Sequence, residues 1–538
     1  MKTANIQHLI GSLLLAAAML TGCSKDNSVN EIVSPEEDDV ESNDIVKALE
    51  AIDGVRNVVI DAGESKKDTI YFFSFRQLIN HDNPDEGTFD QQVALSFKGF
   101  DKDVVLYTHG YAMPTKADYI SPEDLSRQLQ ANQLNVEHRY FGKSLPEPAD
   151  KLSFTYFNAQ QEAQDLHAIV QALKKGLFKT GKWASIGTSK DGITTALYAY
   201  YSDQYGWNDI DLYMPFCAPF LTGEQRNGKF TCMDSRPGLY LEQVCGEGYA
   251  PGSTEAVACQ RLHDIPKYLC SNKTVRDACN RYMRDSQLSD YRKIVEQYNQ
   301  HSPMSTGDLE KDITAFTCFT FYAFLFNKFS YVPFPFWAKL VPDPAKAVTN
   351  EDELTKLCEF IVMDRSNIEK ILSENTAEAP TRSSLDDANE TYWYYLQQQR
   401  DDNGAPYDLQ AFMELGHADF SFSNVDGTYL TKEQARDVVE LFSIQTRYDG
   451  LYPQDEGRLM RNFREWVATE STQNILFVYA YNDPWTGGRP DDAAIRQNPR
   501  TEMVIDRTAT HSDDFLATWL FTDETRKAIT TALDKYLK

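Results

Sequence analysis

The stretch "KWASIGTSKDGITTALYAYY" (residues 182–201) decides the fold. It opens as a short apolar strand, turns tightly at Ser189, and continues with the apolar spacing of a helix. A serine at such a turn is either a helix cap or a nucleophile held out at the edge of a sheet. Asp191 stands where a G-x-S-x-G elbow has its second glycine. An aspartate there costs close helix–strand packing and sets a negative charge near a developing oxyanion. The macrodipole at a helix start and the neighbouring Lys190 act in the opposite direction.

Upstream, "VRNVVID", "DTIYFFSF", "QQVALSF" and "DVVLYTHG" read as strands between about 50 and 110, followed by "LNVEHRY" (134–140). A helical pattern covers 158–178, and "DLYMPFCAPF" (211–220) is another strand. Strands alternating with helices predict a mainly parallel sheet covered on both faces. From 221 to 465 cysteines and aromatics concentrate, and helices are expected at 309–326, 350–374, 384–400, 431–445 and 456–469. The alternation then resumes with "NILFVYAYNDPW" (474–485), a short helix near 491–497, "EMVIDRTATH" (502–511) and a closing helix at 522–537. The expected fold is therefore an α/β-hydrolase: core residues 51–220 and 466–538, with a helical cap, 221–465, inserted between the nucleophile half and the Asp/His half.

A serine hydroxyl needs a base, a carboxylate to orient that base, and donors for the oxyanion. In an α/β-hydrolase these follow in the order Ser, acid, His, each just beyond a strand. Ser189 follows "KWASIG", Asp483 follows "ILFVYAYN" and His511 follows "EMVIDRTAT". Order and placement together favour a catalytic triad over a capping serine. The backbone N–H groups of Tyr111, in "YTHGYAM", and of Lys190 are the expected oxyanion donors. Among the other histidines, His417 is the main competitor to His511, and His109 ends an early strand.

The N-terminus has Lys2, an apolar run from Leu9 to Leu20 and the sequence Leu20-Thr21-Gly22-Cys23. That run is too short to span a bilayer and fits a signal-peptide core. The ending resembles the lipobox of bacterial lipoproteins: residues 1–22 are expected to be removed, Cys23 lipidated, and 23–50, rich in acidic residues, to act as a tether. The expected location is the outer side of a bacterial membrane, with the lipid anchor as the only membrane contact. Setting Cys23 aside, eight cysteines lie between Cys217 and Cys358. In an exported chain they suggest disulfides, with the pairing left open. The net charge of −27 argues against nucleic acid as a partner. No C-x-x-C or H-E-x-x-H pattern marks a metal, and no cofactor is expected. Asn424, Asp426, Gly427 and Glu433 mimic part of an EF-hand, but Phe422 holds its first ligand position; an ordinary turn before a helix capped by Thr431 is the better reading.

Four segments, "NHDNPDEGTFDQQV" (80–93), "VEHRYFGKSLP" (136–146), "GTSKDG" (187–192) and "NDPWTGG" (482–488), together resemble the exported serine peptidases related to prolyl carboxypeptidase, in particular their bacterial tripeptidyl aminopeptidase branch. The likeness covers about residues 65–220 and 470–515, and departs from the family at Asp191 and Thr510. It implies an exopeptidase that acts on peptides with a free N-terminus and releases short pieces, tripeptides foremost, beneath a cap that excludes folded proteins. Such a cap must offer carboxylates to the substrate ammonium. Glu414, in "MELG" (413–416), and Glu137 are the candidates, with Trp485 of the Asp-Pro-Trp element a further substrate contact. A buried structural charge network is an equal reading for Glu137-His138-Arg139, and packing within the cap is the blander one for "YWYY" (392–395). Two alternatives remain: a carboxylesterase with the same triad, and a surface binding protein whose catalysis has decayed at Asp191.

Overall fold

The computed structural model describes residues 44–63, 69–117, 120, 124–146, 153–235, 241–246, 248–285, 306–331, 333–361, 406–419, 424–425, 427–440, 443–511 and 521–538. Cys23, the signal segment and "YWYY" lie outside the described residues.

Nine strands form one sheet: β1 (Val55–Asp61), β2 (Ile70–Leu78), β3 (Thr88–Ser96), β4 (Val104–Thr108), β5 (Asn132–Val136), β6 (Trp183–Thr188), β7 (Leu212–Phe216), β8 (Ile475–Ala480) and β9 (Thr501–Asp506). Their order across the sheet is β1-β2-β3-β5-β4-β6-β7-β8-β9. The first three run antiparallel to their neighbours, and all pairings from β5 through β9 are parallel. An antiparallel start, the β5-β4 swap and a parallel remainder make the α/β-hydrolase fold. Strands β4, β5, β7 and β8 are buried along their whole length, as strands covered on both faces must be.

Alternate residues feed two cores. Val104 and Leu106 point to the side packed by helices α1 (Ala159–Gly176), α2 (Lys190–Tyr205) and, later in the chain, Arg458–Thr469. Val105 and Tyr107 point to the side packed by Asp124–Leu129 and the closing helix Asp523–Leu537. The expected tether is shorter than 23–50: residues 44–50 are helical, and Ile45 and Leu49 bury fully in the first core. Apolar residues four apart on an otherwise acidic segment give it a face worth burying. Strand β5 stops at Val136, short of the expected 140, because the Glu137 carboxylate draws the chain into a loop.

Between β7 and β8 the chain builds a third core from helices α3 (Leu241–Cys245), α4 (Thr254–Ser271), α5 (Lys273–Asp285), α6 (Leu309–Tyr331) and α7 (Glu351–Ile361). Helices α4 and α5 are additions to the sequence reading; α4 carries Pro266 in its interior, a residue that ordinarily signals a helix end. Expected helices at 350–374 and 431–445 appear as Glu351–Ile361 and as Lys432–Glu440 followed by Ile444–Tyr448, while 384–400 lies outside the described residues. Thr431 does cap its helix: its hydroxyl accepts from Gln434 N at 3.2 Å and Gln434 Oε1 accepts from Thr431 N at 3.0 Å. In the structure the eight described cysteines are unbridged, against the expected disulfides.

Candidate active site

Ser189 sits between β6 and α2 with φ 59° and ψ −122°, a conformation that costs a non-glycine residue about 1–3 kcal/mol. Its surroundings force it. Ser189 N donates to Phe216 O at 2.9 Å, and Ser189 O accepts from Ile193 N at 3.0 Å. A Cβ at Gly187 would lie 2.4 Å from the Asp191 backbone, and one at Gly192 would lie 2.8 Å from Phe216 O. The close approach of helix to strand is thus carried by Gly187 and Gly192. Position 191 is free to bear a side chain.

The carboxylate of Asp191 faces the other loop of the site. Its Oδ1 accepts from Gly110 N at 2.6 Å and its Oδ2 from the Tyr107 hydroxyl at 3.0 Å. The Lys190 ammonium donates to Gly110 O. It also lies 5.2 Å from the Tyr111 ring centre and 4.9 Å from that of Phe141. Both ends of Gly110 are therefore held by the two residues that follow Ser189. A Cβ at Gly110 would come within 2.8 Å of Lys190, so only glycine fits. Lys190 and Asp191 are each 2 % exposed. Burial pushes the lysine down and the aspartate up, and each charge opposes the shift of the other. The clamp fixes the strand leading into Tyr111 against the first turn of α2, where the Lys190 N–H has no intrahelical acceptor.

Strands β6, β7, β8 and β9 are adjacent and parallel, so the loops after them share one edge. Asp483 follows β8 and is fully buried. Its Oδ2 lies 2.8 Å from His511 Nδ1, and its Oδ1 accepts from Trp485 N at 2.9 Å. An ionised carboxylate only accepts, so Nδ1 carries the proton and Nε2 is the basic nitrogen. Asn482 secures this pair by reaching the carbonyls of Arg507, Thr508 and Ala509, each at 3.3 Å, on the loop that delivers His511. Asp506 braces the same loop through the N–H groups of Thr508 and Ala509. Sequence reasoning missed both; their signal was a polar residue directly beside each strand end. Cys217, next to the Phe216 carbonyl that holds Ser189, shares a 4.8 Å cluster with Asp483 and His511. Among the described residues it is the group with the donor atoms to hold a metal, but the short His–Asp bond already engages two of its members.

The expected substrate carboxylates differ in kind. Glu137 Oε1 accepts from Met113 N, and its Oε2 from Lys143 N, Ser144 N and the Ser144 hydroxyl at 2.7–3.0 Å. That carboxylate closes its own loop, which removes it from substrate contact. Arg139 likewise makes a two-point ion pair with Asp165, at 2.7 Å on both bonds, and donates to the carbonyls of Leu78, Ile79 and Tyr156. Glu414 lies in the π-helical turn Ala411–Leu415, accepts from Ala159 N at the start of α1 at 2.8 Å, and is pushed by burial to about 7. It lines an open groove with Asn158, Tyr201 and Asp455. Trp485 is half-buried against the third core, joining the Asp483 turn to the cap. His109 is buried beside Asn135, with burial holding it down at about 4. His417 Nδ1 lies 2.9 Å from the Ala418 carbonyl.

Residues 39–238 match the family of PS-10 peptidase S37. Over that segment, about a third of its length, the chain is similar to the S37 serine peptidases. The S37 match takes in Ser189, Lys190 and Tyr111 and ends before Asp483 and His511. Two similar proteins are a prolyl tri/tetrapeptidyl aminopeptidase of Streptomyces mobaraensis, 34 % identical over 146 residues, and the serine protease vicPb of Bipolaris victoriae, 26 % identical over 176 residues. The first alignment spans 27 % of this chain and 28 % of the relative; the second spans 28 % and 33 %. Among solved structures, proline iminopeptidase of Mycobacterium smegmatis shares 10 % identity at a TM-score of 0.31, covering 86 % of this chain and 98 % of the other. The esterase LipA of Xanthomonas oryzae shares 11 % at 0.33, covering 90 % and 98 %. The fold assignment stays with the sheet order itself.

Proposed function

We propose that this protein is a serine exopeptidase that removes short peptides, tripeptides foremost, from the free N-terminus of peptide substrates. The 2.8 Å bond between His511 and Asp483, on the sheet edge where the strained turn holds Ser189, is the observation that carries this reading. Ser189 Oγ attacks the scissile carbonyl while His511 Nε2 takes its proton. The carbonyl oxygen, now an anion, receives the N–H groups of Lys190 and Tyr111. Collapse expels the amine, protonated by His511, and leaves an acyl-enzyme that water hydrolyses by the same steps in reverse. Asp483 holds the imidazole in the working tautomer throughout. Asp191 supports the decayed-binder alternative poorly, because it braces the oxyanion loop and leaves the elbow intact.

The S37 match and the similarity to a prolyl tri/tetrapeptidyl aminopeptidase support a peptide substrate and a count from the N-terminus. Glu414 is our candidate to meet the substrate ammonium, and Trp485 to line its path beneath the cap. The leader and Cys23 support export and attachment to a bacterial membrane by lipid. Release of chromogenic amines from tripeptide and dipeptide amides, compared between the wild type and Ser189→Ala, tests the central claim. Turnover of tripeptide amides by the wild type alone is expected; equal turnover by both proteins removes Ser189 from the mechanism. Turnover of short acyl esters alone identifies a carboxylesterase.

A further inference from the structure

Six of the eight described cysteines face one another in pairs, and every pair bridges two cap elements or two turns of its fold. The Cys279 and Cys358 sulfurs lie 3.5 Å apart, joining α5 to α7. Cys318 on α6 is hydrogen-bonded to Cys270 at the end of α4. Cys245 at the end of α3 is hydrogen-bonded to Cys259 on α4. Cys270, Cys279 and Cys318 are fully buried, and the five residues Cys259, Cys270, Cys279, Cys318 and Cys358 all belong to the third core, with Cys245 packed against it. Each of the six has one thiol hydrogen-bond partner in these contacts; Cys318 also interacts with Cys279, without a hydrogen bond between them. Cys217 lies instead beside Asp483 and His511, and Cys232 lies in a separate aromatic cluster with Tyr140 and Phe412.

We propose that the mature protein carries three disulfides, Cys245–Cys259, Cys270–Cys318 and Cys279–Cys358, and keeps Cys217 and Cys232 as thiols. This goes beyond the peptidase reading and does not depend on it. Closing each pair to the S–S length of about 2.05 Å asks only for small side-chain movement. The oxidant is a disulfide donor, either a thiol–disulfide oxidoreductase or oxidised glutathione. One cysteine thiolate attacks the donor to give a mixed disulfide, and its partner displaces the donor's second sulfur. Two protons leave the protein, and the donor departs as two thiols. The hydrogen bonds to their facing thiols, with burial, raise Cys279 and Cys318 well above their ordinary range, and burial raises Cys245, so all three are poor nucleophiles once the cap has packed. Bridging therefore belongs to folding.

The bridges tie α3 to α4, α4 to α6 and α5 to α7. Trp485, packed on the same core, carries that rigidity to the turn that holds Asp483.

The experiment refolds the full chain from denaturant in a mixture of reduced and oxidised glutathione, alkylates remaining thiols with iodoacetamide in denaturant, and digests without reduction. Three linked peptide pairs and three alkylated cysteines, Cys23, Cys217 and Cys232, are expected, with a protein mass before alkylation lower by six hydrogens. Nine alkylated cysteines, or a mixture of pairings, overturns the proposal. Cys358→Ser should release Cys279 alone for alkylation and leave the other two bridges intact; capture of Cys279 by another cysteine overturns the assignment. Should refolding fail, folded chain purified without denaturant and treated with oxidised glutathione is mapped in the same way, with the same deciding outcomes. Activity plays no part in the readout, so a failed peptidase assay leaves this result standing.

Discussion

The sheet half and the cap bury polar and reactive groups by different rules. In the sheet half, buried charges are matched atom by atom: Arg139 with Asp165, Asp483 with His511, Asp191 with Gly110 N and Tyr107. In the cap, the third core is filled by aliphatic side chains, aromatic rings and thiols. A buried charge without its partner costs several kcal/mol, whereas an apolar side chain can be exchanged for another of like volume at little cost. The sheet half therefore demands particular residues at particular places, whereas the third core, its paired thiols apart, demands volume; elsewhere in the cap Arg226 with Asp419 and Arg447 with Asp408 follow the rule of the sheet half.

The largest test of that contrast is Ser189→Ala. Turnover should fall by about 10⁴–10⁶-fold while the melting temperature holds; a large loss of stability instead would make Ser189 structural. Next, Arg139→Lys removes the two-point bond to Asp165 and strands several carbonyls. It should lower unfolding free energy by about 3–5 kcal/mol in denaturant titration. The fully buried cap residue Leu357 offers the contrasting case, since Leu357→Met should cost less than about 1.5 kcal/mol in the same titration. If the two losses match, the contrast between the halves is wrong.

Asp191→Asn keeps the shape of the clamp on Gly110 and removes its charge. A fall in kcat of about 10–100-fold with KM little changed is expected, since the oxyanion donors act in the transition state. A rise in KM with kcat intact would assign Asp191 to substrate binding. The last effect concerns pH. His109 titrates at about 4 when folded, against 6.5 for an exposed imidazole. As pH falls from 6.5 towards 4 the unfolded chain takes up the proton first, so stability is full above that window and is lost within it. The loss should approach about 1.4 kcal/mol per pH unit, and subtraction of the same curve for His109→Gln should isolate it.

The same difference governs what could be read in advance. The placing of Ser189, Asp483 and His511 past strands was legible because each of those strands has a clear apolar run. Strand β5 was overextended through Glu137 because a carboxylate that closes a loop with backbone donors looks, in sequence, like any polar residue at a strand end. Helix α4 escaped notice because Pro266 in its interior reads as a helix end. Residues 44–50 passed for tether because Ile45 and Leu49 show as a buried face only once the core exists to receive them.

By itself the sequence determined the alternation of strands and helices, the order of the three reactive side chains and the isolation of the cysteines in one region, since each is written in local periodicity or residue type. Only the tertiary structure decided that Gly192 carries the close packing expected of position 191, that Asp191 grips Gly110, that Glu137 closes a loop, and which thiols face each other. Those are distances between segments far apart in the chain, and such distances are fixed when the sheet and cap pack, not by any local preference.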